Sequence, residues 1–73
     1  FVYYPNPVKS ILNVSYNQTI DSVSVVNLLG QVVLSKTINS NEGTVDMAAL
    51  PSGTYIVKVV SGTQYDLIKV VKQ

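Results

Sequence analysis

Apolar residues recur at every second position through long stretches of this chain. From Ser10 to Tyr16, Leu12, Val14 and Tyr16 fall on one side and Ile11, Asn13 and Ser15 on the other, the alternation of a strand with one buried face. Asn17 to Ser22 is polar and reads as a turn, after which Val23, Val25, Val26 and Leu28 mark a second strand. Leu29-Gly30-Gln31 interrupts it. Gly30 supplies the left-handed residue of a tight turn, and Val32, Val33, Leu34 and Ile38 form the return arm of a β-hairpin. Asn39-Ser40-Asn41-Glu42-Gly43 reads as a loop by composition, and Val45 and Met47 then face one way across Asp46. Ser61-Gly62-Thr63 turns the chain into a last strand, Tyr65 to Val71, whose inward face stays open because both alternating sets contain apolar residues.

The segment Leu50-Pro51-Ser52-Gly53-Thr54-Tyr55 organises the rest. Pro51 presets a negative φ and Gly53 supplies a positive one, so the chain reverses and enters the strand Ile56 to Val60. Tyr55 then stands where a corner tyrosine folds its ring inward and bonds its hydroxyl to the backbone a few residues upstream. Near the start, Pro5-Asn6-Pro7 removes two ladder donors and pushes Tyr4 and Asn6 toward extended conformations, a rigid kink after the apolar run Phe1 to Tyr4. Six to seven short antiparallel strands and no helical period predict an all-β sandwich, immunoglobulin-like or fibronectin-like.

Composition narrows the function. The chain has 73 residues, one domain, and a domain of that size buries only about 60% of its unfolded surface. It has neither cysteine nor histidine, so disulfides and the usual zinc ligand sets are excluded. A net charge of +1 from dispersed lysines argues against nucleic acid, which is met by clustered basic residues. The carboxylates Asp21, Glu42, Asp46 and Asp66 lie far apart and no serine has a histidine base, so the chain is expected to be no enzyme and to hold no cofactor or metal. The Asn39 to Gly43 segment lacks the acidic run of a calcium loop. Tyr3, Tyr4, Tyr16 and Tyr65 suit core and edge packing; an exposed sugar platform is the alternative use. No apolar run approaches the roughly 20 residues of a membrane span. A start at Phe1-Val2-Tyr3-Tyr4 without an initiator Met reads as a piece of a longer protein.

Four motifs in series carry a resemblance that covers essentially the whole chain. Pro5-Asn6-Pro7, the hairpin around Leu29-Gly30-Gln31, the Leu50 to Tyr55 corner and the terminal Lys69-Val70-Val71-Lys72-Gln73 resemble, in order and spacing, the type A C-terminal sorting domain of the type IX (Por) secretion system of Bacteroidota. The resemblance implies a single sorting domain, residues 1–73, behind an N-terminal cargo. Recognition in the periplasm by the outer-membrane translocon would be followed by removal by a cell-surface sortase, with a cut at or before Phe1, leaving cargo at the outer-membrane surface or outside the cell. Pro5, Asn6, Pro7, Gly30, Leu50, Gly53, Tyr55, Lys69 and Lys72 match the family pattern. Gly30, Gly53 and Tyr55 read as fold-makers. Lys69, Lys72 and the backbone of the final strand are the candidate translocon contacts, because an edge strand offers unpaired donors and acceptors. Exposed edges also make strand-mediated self-association an expectation for the isolated domain. Asp21-Ser22-Val23 resembles the tripeptide that Bacteroidota O-glycosylate. The alternative reading is a fibronectin-like or carbohydrate-binding accessory module of an extracellular enzyme.

Overall fold

Two long antiparallel strands carry one curled sheet. The computed structural model describes residues 2–73 and places in them β1 (Val2–Tyr4), β2 (Ile11–Val26), β3 (Val32–Asp46), β4 (Gly53–Ser61) and β5 (Gln64–Lys72). Phe1 lies outside the described residues. All pairings between these strands are antiparallel. β3 lies along one edge of β2 for nearly its full length, while the other edge is shared by β1 at residues 13–15 and β4 at residues 22–26. β5 adds to β4 and ends the sheet on that side.

The all-β, antiparallel expectation holds, but the strand count does not: five strands stand among the described residues where six to seven short ones were expected. The difference lies in two polar segments. Asn17 to Ser22 belongs to β2, and Asn39 to Gly43 belongs to β3. The register shows how the ladder survives there. Between Ser15↔Glu42 and Ile20↔Ser40, five steps along β2 match two along β3; between Ile20↔Ser40 and Ser22↔Thr37, two steps match three. Such extra residues bend a strand and raise its twist without ending it. Asn39 absorbs part of the bend with a φ of 51°, a left-handed conformation that asparagine tolerates.

The bend also exchanges the faces of both strands. Side chains alternate with a period of two, so an odd insertion sends the other set inward. Leu12, Val14 and Ile20 are buried in β2 up to the second shift, Val23 and Val25 after it. In β3, Leu34 and Ile38 pack on the core before the bend and Val45 is buried after it, with Met47 just beyond. Both ends of the long hairpin therefore face the same apolar cluster, which Val57, Val59, Ile68 and Val70 complete from β4 and β5. Gly43, opposite Val14 just beside the bend, leaves room for the Ile38 side chain, since a Cβ there would stand 2.9 Å from both its Cδ1 and Cγ2.

Candidate functional site

The corner forms as its residue types dictate. Tyr55 is buried, its hydroxyl donates to the Pro51 carbonyl at 2.7 Å, and Leu50 packs half-buried against the core. Gly53 has a φ of 155° and opens β4, where it stands opposite Lys72. The turn that begins the corner is closed by Leu50 N–H donating to Met47 C=O at 3.0 Å, and Asp46 Oδ1 accepts from Ala48 N–H at 2.9 Å.

The Pro5-Asn6-Pro7 kink lies on the other side of that same C-terminal strand. Both of its X–Pro peptide bonds are cis. Asn6 Oδ1 accepts the Val71 N–H at 3.0 Å, and Asn6 Nδ2 donates to the Lys69 carbonyl at 3.4 Å. Val8 follows: its N–H donates to Val71 C=O and its carbonyl accepts from Gln73 N–H, each at 2.8 Å, in a parallel bridge opposite Lys72. Val8 itself is fully buried. The outer edge of β5 from Lys69 to Gln73 is thus occupied by the chain's own N-terminal segment. That corrects the expectation of an unpaired final-strand edge there. Outward peptide groups of β5 come from the odd-numbered residues, as Val71 shows, so the open part of this edge is at Tyr65 and Leu67, whose side chains are also exposed.

The two terminal lysines separate. Ile68, Val70 and Lys72 point inward, Lys72 with 7% of its surface exposed and its Nζ donating to the Gln73 carbonyl at 3.0 Å. Lys69 points outward into solvent. The inward face that the sequence left open is settled by pairing, since Tyr55↔Val70 and Val57↔Ile68 stack the even residues of β5 beside the buried residues of β4.

Gly30 closes the hairpin turn with a φ of 85°, and Gly30 N–H donates to Asn27 C=O at 3.0 Å. Val26 pairs with Ile56, and Ile56 with Lys69, so this turn lies at the same end of the sheet as the corner, the Lys69 to Gln73 segment and the proline kink. Four motifs dispersed through the sequence meet at one end of the fold. Asp21-Ser22-Val23 lies elsewhere, within β2, where Ser22 is half-buried between Thr37 and Val60 and Asp21 Oδ2 accepts from Gly62 N–H at 2.7 Å. Asp21 and Asp46 hold turns in place.

A family model matches residues 2–73, and its description is secretion system C-terminal sorting domain. The chain belongs to that family. The type IX resemblance drawn from its motifs is therefore borne out over nearly the whole chain. No curated protein matches the sorting domain's sequence. Sequence reasoning missed two of the sorting domain's own contacts, the Asn6 clamp on β5 and the burial of Val8. The spacing of Pro5-Asn6-Pro7 signals a kink but carries no information about a strand more than sixty residues away.

Proposed function

We propose that these residues are a non-catalytic address label, placed behind an N-terminal cargo, that directs it across the periplasm and through the type IX outer-membrane translocon. A cell-surface sortase then removes the label, and the cargo stays at the surface or leaves the cell. The family match over residues 2–73 carries this reading. The convergence of the four motifs at one end supports it, because a receptor that meets one of them meets the others.

In this reading the curled sheet serves as an immunoglobulin-like sandwich that holds that end in shape. Lys69 remains the candidate translocon contact, together with the open part of the β5 edge at Tyr65 and Leu67. Lys69 offers its ammonium group directly. Lys72 acts indirectly: its side chain is buried and its backbone lies between Gly53 and Val8, so it holds the end of β5 in place beneath the contacts around it.

The test removes Lys69 to Gln73 from the end of a secreted cargo. The cargo is expected to fold and to accumulate in the periplasm. Export at the unmodified level after this deletion contradicts the reading.

A further inference from the structure

The turn between β2 and β3 is uncharged, apolar at its tip and crossed by hydrogen bonds from Asn27. Leu28 and Leu29 stand at its tip with 71% and 85% of their surfaces exposed. Asn27 fixes the backbone beneath them: its Oδ1 accepts from the N–H groups of Leu29 and Gln31, and its Nδ2 donates to Gln31 Oε1, each at 3.0 Å. The Asn27 N–H also donates to Gln31 C=O at 3.0 Å. Two leucines so exposed add nothing to the core of the domain; burying them on a partner releases their hydration water, and a preordered turn loses little entropy in doing so. Val32, exposed at the start of β3, extends the apolar stretch. No charged residue occurs from Ser22 to Ser35.

We propose that Leu28 and Leu29 form a prong that inserts into a concave, uncharged apolar pocket on a protein of the export machinery. This rests on the secretion reading above. The prong belongs to the end of the sheet where the sorting motifs converge, which places it within reach of whatever engages them. Its convex shape calls for a cavity. Two such convex tips do not fill one another.

The experiment fuses the chain to the C-terminus of a periplasmic reporter in a type IX-competent host and compares the unsubstituted fusion with L28S/L29S and L28M/L29M. Removing two buried leucines weakens binding by about a hundredfold or more. The serine pair is expected to stop most export while the domain within the fusion keeps its protease resistance, because neither side chain is in the core. The methionine pair, which keeps the apolar volume, is expected to restore export. Export of the serine pair at the unsubstituted level overturns the inference, as does equal loss in both pairs. A fusion that dimerises, or binds anionic phospholipid vesicles, through these leucines also overturns it. If the unsubstituted fusion itself never leaves the cell, the secretion reading falls and takes the inference with it.

Discussion

The Asn6 side chain accepts the amide hydrogen of Val71 at 3.0 Å, across 65 residues of sequence. With its Nδ2 on the Lys69 carbonyl, this one side-chain amide supplies the acceptor and the donor that a neighbouring strand would present at that edge. Here the last residues are held on both sides, by Gly53 and Thr54 of β4 and by Asn6 and Val8. The same contacts tie the final strand to the Pro5-Asn6-Pro7 segment.

Replacing Asn6 by Ala removes both side-chain bonds. They are exposed, so the net loss is about 1 kcal/mol, and a domain of this size melts about 4–8 °C lower for each such loss. Amide exchange at Val71 is expected to accelerate. An unchanged exchange rate there contradicts the clamp. Asn6→Asp keeps the acceptor for Val71 and loses the donor to Lys69, and is expected to fall between the two.

Tyr55 separates its hydrogen bond from its packing. Tyr55→Phe keeps the buried ring and loses the bond to Pro51, a cost of about 1 kcal/mol, whereas Tyr55→Ala also empties the core and costs about 3–5 kcal/mol. Denaturant unfolding of the three proteins checks the order. A Phe variant as unstable as the Ala variant contradicts the assignment of the larger share to the ring.

Gly43 is needed for space. Gly43→Ala drives a methyl group into the Ile38 side chain, which overpacks the bend of β3 at a cost of about 1–3 kcal/mol. Ile38→Ala removes the obstruction, so the double variant is expected to be more stable than the sum of the two single losses predicts. Strict additivity in unfolding measurements contradicts this contact.

The parts of the fold legible in the sequence are those set by near neighbours. Leu50 to Tyr55 closes on itself through a bond spanning four residues, and the turn at Gly30 needs a positive φ that its composition supplies. Asn17 to Ser22 and Asn39 to Gly43 misled because polar composition looks like a loop. Their backbones flank the register shifts of the β2–β3 ladder, where polar side chains face water and the period of two is interrupted, so the alternation that reveals a strand is absent. Lys72 misled for a related reason: a lysine reads as exposed, yet Ile68 and Val70 fix the inward set of β5 and Lys72 is the next member. Asn6 has no local signature for a partner at the far end of the chain.

The most direct test of the account is where a reporter goes when this chain, with about 20 native residues before it, is placed at its C-terminus in a Bacteroidota host. Strains with and without a working type IX translocon are compared, and the reporter's location and length are measured. A shortened reporter is expected outside the competent cell, and a full-length reporter trapped in the periplasm of the deficient one. Retention in the periplasm of both strains, or release at full length with the domain still attached, contradicts it and returns the accessory-module reading to the front.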